Sequence, residues 1–122
     1  MRLGIDFGTT HTVVAVVDRG NYPVVSFDGV DAWPSIIAAN PAGELRYGPD
    51  AAAVRHHPDW SVLRSFKRLL NDAGPTSTVD LAGRCYRLAN LFAGFLAQLR
   101  SDLQHRSNAE LSPGERVEAA IS

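Results

Sequence analysis

Leu88, Leu91, Phe92, Phe95, Leu96, Leu99 and Leu103 recur at spacings of 3, 1, 3, 1, 3 and 4. That is the spacing of one face of an α-helix, and it predicts a helix from Leu88 to about His105. Gly94 lies inside the run, where glycine costs about 1 kcal/mol relative to alanine. A stripe of large apolar side chains at this period reads as core packing rather than as a binding groove.

Most of what precedes the helix reads as strand. Residues 2–6 and 12–18 are two strands joined through Asp6-Phe7-Gly8-Thr9-Thr10. The second is β-branched and apolar nearly throughout, the pattern of a strand buried on both faces. Pro23 can only begin a third strand, predicted over residues 23–27, which would make an antiparallel meander. A short apolar strand follows in "PSIIAA", then a turn at "NPAGE", then "LRYG". Pro49 opens a helix that should stop near His57, because Pro58 disfavours helical geometry in the residue before it. "SVLRSFKRLL" is ambiguous between strand and helix, and residues 77–88 read as a hairpin turning at Ala82-Gly83. After the long helix, a loop leads into a last strand, "RVEAAIS", that runs to Ser122. A strand stopping there reads as an amino-terminal piece of a longer protein.

The 122 residues are 45% hydrophobic and 20% charged, which suits an ordered globular domain with a modest core. A net charge of −1 gives no electrostatic reason to expect nucleic acid as a partner. No apolar run approaches the roughly 18 residues that a membrane span needs. The amino terminus reads as a strand and not as a signal peptide, so cytoplasm is the expected compartment. Cys85 is the single cysteine, which excludes an internal disulfide; a small, buried strand residue is the expectation there.

The Asp6–Thr10 stretch admits two readings. It is either a polar hairpin turn or a phosphate site. For the second, Gly8 lets the backbone approach a ligand, and Thr9 and Thr10 offer N–H groups and hydroxyls. Asp6 would hold a hydrated Mg²⁺. Other phosphate motifs are missing: there is no G-x-x-x-x-G-K-[ST] and no G-x-G-x-x-G. Asp6-Phe7-Gly8 lacks the companion motifs of protein kinases. His56 and His57 are adjacent and do not converge on a metal; they read as a solvated helix end. "HPD" at residues 57–59 lacks the flanking long helices of a J-domain. Lys67 and Arg68 interrupt an apolar segment, so at least one head group must reach a surface or a cleft.

Taken together, "LGIDFGTTHTVVAV", "WPSIIA", "HPDWSVLRSFKRLL", the hairpin with its long helix, and "VEAAIS" resemble, in order, the seventy-kilodalton heat-shock chaperones of the DnaK type. The resemblance implies an α/β fold, the first lobe of an actin-like (ribonuclease H-like) ATPase with a mixed sheet and helices, here incomplete. It implies a core subdomain of residues 1–38 and 112–122, with an inserted subdomain of residues 39–111. By position, Asp6 would orient hydrated Mg²⁺, and Gly8, Thr9, Thr10 and His11 would bind the phosphates of ATP or ADP. Lys67 would reach the γ-phosphate and position water. The implied partners of a parent protein are unfolded peptides, a J-domain protein and a nucleotide-exchange factor, with no nucleic acid and no membrane. The fragment alone should be catalytically silent. His11 and Trp33 depart from the usual family residues, and the segment between Lys67 and the long helix is short. Two other classes remain: a sugar or acetate kinase of the same superfamily, and a non-catalytic interaction module.

Overall fold

β1 (Arg2–Phe7) and β2 (His11–Val16) pair antiparallel, with Leu3 opposite Val16 and Phe7 opposite Thr12. Successive strand residues point to opposite faces. Leu3, Ile5 and Phe7 therefore share a buried face with Thr12 and Val14. The computed structural model describes every residue from Met1 to Ser122. It shows β2 alternating, with Val13 and Ala15 only half-buried, and not enclosed on both sides as its composition predicts. The reason is that one face meets the long helix while the other lines an open depression with Gly4, Asp6 and Ala120.

β3 (Trp33–Pro34) joins the far edge of β2, and β9 (Glu118–Ile121) runs parallel to β1, giving the order β3-β2-β1-β9. The expected third strand at residues 23–27 is not a regular strand. It lies along β2 through single bridges, with Val25 N–H donating to Val14 O and Val16 N–H to Pro23 O. Pro23 has no N–H, and two tight turns, at residues 18–21 and 27–30, bound so short a segment.

The "PSIIAA" run is divided. After β3 the chain leaves the first sheet, and β4 (Ile37–Ala39) becomes the centre of a second sheet between β5 (Leu45–Tyr47) and β6 (Ser61–Leu63). Ile37, Ala38 and Ala39 are all buried, as a central strand requires. α1 (Pro49–Ala53) is shorter than expected; beyond it the bonds tighten to Val54 N–H to Ala51 O and His57 N–H to Val54 O. The ambiguous segment holds both elements. β6 gives way to α2 (Phe66–Asn71) at Ser65, which takes a left-handed conformation (φ 56°) to redirect the chain.

β7 (Thr78–Leu81) and β8 (Arg84–Arg87) form the expected hairpin, with Ala82 (φ 51°) and Gly83 (φ 77°) both at positive φ in its two-residue turn. Cys85 lies in β8 as expected but is exposed, because this two-stranded ribbon has one face in solvent. α3 (Leu88–His105) matches the sequence reading at both ends. It buries Leu88, Leu91, Phe95, Leu99 and Leu103 against the first sheet and the side chains beneath the second.

Two glycines mark close packing. At Gly48 (φ 63°) an added Cβ would run into the Trp33 indole, and at Gly94 it would meet the Tyr47 ring and hydroxyl. The helix gives up propensity at Gly94 so that Tyr47 of β5 can lie against it. Burial, and then the neighbouring Tyr86, raise the pKa of that hydroxyl. Gly94→Ala should therefore lower stability by about 1–3 kcal/mol, despite alanine's better helix propensity. Denaturant unfolding checks this, and a stabilised variant would contradict it.

Candidate functional site

The turn between β1 and β2 is closed by Gly8 N–H donating to His11 O at 3.0 Å. A Cβ on residue 8 would collide with that carbonyl, so glycine is required there by close approach. Thr9 and Thr10 stand exposed at the tip, and their N–H groups donate to nothing within the chain. The tip is braced from behind. Ser35 N–H donates to Thr10 O at 2.9 Å, and the Ser35 hydroxyl pairs with buried Thr12 Oγ1 at 2.9 Å. The result is a fixed turn presenting two free donors, a geometry that can accept an anion.

Asp6 is exposed on the open face of the first sheet, lining a shallow depression of about 410 Å³ with Val13, Ala15 and Ser122. Its carboxylate takes part in none of the chain's ion pairs or side-chain hydrogen bonds. No cluster of three or more metal-ligating side chains exists. A single free carboxylate suits a largely hydrated Mg²⁺ whose remaining ligands are water and phosphate, and does not suit a protein cage.

Lys67 is half-buried on α2 and pairs with no acid. What relates it to the turn is the residue before it. Phe66 is fully buried and packs on Phe7 at 6.3 Å between ring centroids, on Phe92 at 6.1 Å and on Phe95 at 6.3 Å. Phe7, which directly precedes Gly8, packs on Phe95 at 5.2 Å and on Phe92 at 5.6 Å. The phosphate-turn candidate and the lysine segment thus grow from one aromatic cluster, although Phe7 and Phe66 are 59 positions apart.

His11 stands apart from the other candidates. Its carbonyl belongs to the turn, and the residue lines a different cavity from Asp6, together with Pro34 and Pro49. His56 and His57 are exposed; His57 Nδ1 accepts Asp59 N–H at 3.1 Å, an ordinary turn bond. Sequence reasoning missed Asp102, an acid on α3 that is only 2% exposed. It accepts Trp33 Nε1–H at 2.8 Å and Gln98 Nε2–H at 2.9 Å. Its position between Leu99 and Leu103, on the buried side of the helix, was the available signal.

No protein-family model matches the chain. The chain is similar to the chaperone protein DnaK of Mycoplasmopsis pulmonis, at 33% identity over 113 residues, 90% of this chain and 18% of that protein. It is also similar to the DnaK of Mycoplasmopsis agalactiae, at 33% identity over 122 residues, 98% of this chain and 18% of that one. The chain therefore spans about 18% of the length of these relatives. Likeness along nearly the whole chain supports a relationship to the DnaK-type chaperones over this stretch.

Because Phe66 anchors α2, Phe66→Leu should cost about 1–2 kcal/mol and loosen that helix selectively. Hydrogen exchange should quicken over Phe66–Asn71 while the Leu99–Leu103 turn of α3 keeps its protection. Uniform quickening through both helices would contradict this anchoring role.

Proposed function

We propose that this chain is one wall of the nucleotide cleft of a DnaK-like chaperone, the first lobe of an actin-like ATPase. The observation that carries the reading is the Phe7–Phe66 contact, which supports Gly8-Thr9-Thr10 and Lys67 acting at one site. In this reading residues 1–38 and 112–122 form the core subdomain and residues 39–111 the insertion. Similarity to DnaK proteins over nearly the whole chain adds to it.

The roles follow from the chemistry of phosphoryl transfer, which depends on placement and charge neutralisation. The Thr9 and Thr10 N–H groups and hydroxyls donate to phosphate oxygens. Gly8 keeps the turn closed, and the His11 carbonyl holds it. The Lys67 ammonium neutralises developing charge on the transferred group and orients the attacking water. The Asp6 carboxylate would hold a hydrated Mg²⁺, which would supply charge shielding when bound with ATP or ADP. In a parent protein the energy would drive binding and release of unfolded peptides, with a J-domain protein and a nucleotide-exchange factor as partners, in the cytoplasm. These 122 residues alone hold one side of such a cleft and should not turn ATP over.

In the full-length parent, Lys67→Ala should lower single-turnover ATP hydrolysis by about 10²- to 10³-fold, the scale of losing one aimed charge donor. ATP affinity should change far less. Unchanged hydrolysis would remove Lys67 from the mechanism and favour a non-catalytic module; transfer to a sugar or acetate would favour the kinase reading.

A further inference from the structure

A second cavity, of about 310 Å³, is lined in part by His11, the residue that follows the candidate phosphate turn. Four separate parts of the chain line it: the start of β2 at His11, the segment at residues 27–34 that ends in β3, α1 at Pro49 and Ala52, and the end of α3 with its cap Arg106. Its walls are apolar, from Phe27, Val30, Pro34, Pro49 and Ala52, and its charged groups are gathered on one side. The volume lies at the lower end of the range of small-molecule sites.

The charged side is built around Arg106. Its guanidinium donates to Asp50 Oδ1 at 3.1 Å, lies 3.5 Å from Asp28 Oδ2, and lies 3.7 Å from Asp102 Oδ1. The hydrogen bond that Arg106 donates to Asp50, together with the surrounding carboxylates, raises the pKa of Arg106 further above its already high ordinary value. Asp102 is fixed from behind by Trp33 and Gln98 and cannot swing away. Three carboxylates thus share one guanidinium, and the cluster keeps an excess of negative charge. Asp28 is largely exposed at this cluster, where water can be displaced from its free lone pairs.

A cavity with apolar walls and a residual negative charge selects one chemistry. We propose that it binds a small organic cation, an ammonium or guanidinium on an apolar body of about ten heavy atoms. The apolar body would lie against Pro34, Pro49 and Ala52, and the cation would sit on the Asp28 side of the Arg106 cluster. An anion of the same shape would gain from Arg106 only by displacing a carboxylate already bound to it. Occupancy would be sensed at His11, a residue that lines the cavity and whose carbonyl closes the Gly8 turn. The inference does not depend on the phosphate reading, since none of its recognition groups serves there.

Phenethylammonium and 3-phenylpropionate, near-isosteres of opposite charge, test this by amide and imidazole NMR on the full 122-residue chain. The cation should give saturable shifts at His11 and Arg106 with a dissociation constant of about 1 mM, as expected for so few atoms. The anion should bind at least about fivefold more weakly, a modest discrimination in keeping with a partly exposed charge. Asp28→Asn, at an exposed position, should weaken the cation by a similar factor, and Ala52→Leu should abolish its binding by filling the cavity. Equal binding of both probes, absence of saturable shifts at His11 and Arg106, or full affinity in Asp28→Asn would overturn the proposal.

Discussion

The packing of Phe7 and Phe66 against Phe92 and Phe95 is the contact on which the rest of the candidate site depends. Each phenylalanine occupies the last buried position before a polar segment: Phe7 before Gly8-Thr9-Thr10, Phe66 before Lys67. Aromatic pairs of this kind add about 0.5–1.5 kcal/mol each beyond their burial, and their geometry is specific. The cluster therefore fixes position as well as stability. α3 supplies the other two rings, one turn apart, so the long helix serves as the platform on which both site segments rest.

A second constraint operates at the opposite end of α3. Gln98, Asp102 and Arg106 are spaced four residues apart, so they share one side of the helix. Asp102 is buried and ionisable, an arrangement tolerated only when its oxygens are bonded. Trp33 meets that need while its ring packs edge-on to Phe95 at 5.0 Å, so one residue joins the polar network to the aromatic one. Arg106 then holds the loop at Asp28 and the start of α1 at Asp50. Trp33 is thus the keystone between the two sheets and the helix.

Local patterns were legible in the sequence and tertiary ones were not. The bounds of α3 and the hairpin at Ala82-Gly83 could be read because period and turn chemistry are properties of neighbouring residues. The segment at residues 23–27 misled because apolar β-branched composition does not reveal whether a partner edge is long enough for regular pairing. Cys85 misled for the same reason: its strand was visible, but which face met solvent was not. Asp6, Gly8, Thr9, Thr10 and Lys67 could be picked out as polar interruptions of apolar runs. The Phe7–Phe66 contact that relates them spans 59 positions of sequence and left no local trace. Asp102 was hidden because an acid in a helix ordinarily faces water.

The central claim is that the Gly8-Thr9-Thr10 turn and Lys67 act on one bound phosphate group. Titrating magnesium pyrophosphate into the ¹⁵N-labelled chain, beside its Lys67→Ala variant, addresses it most directly. The account predicts saturable shifts of the Thr9 and Thr10 amides, with affinity about tenfold weaker without Lys67, the worth of one charge-assisted hydrogen bond. Shifts confined to other parts of the chain, or a Thr9–Thr10 response that is the same in both proteins, would contradict it.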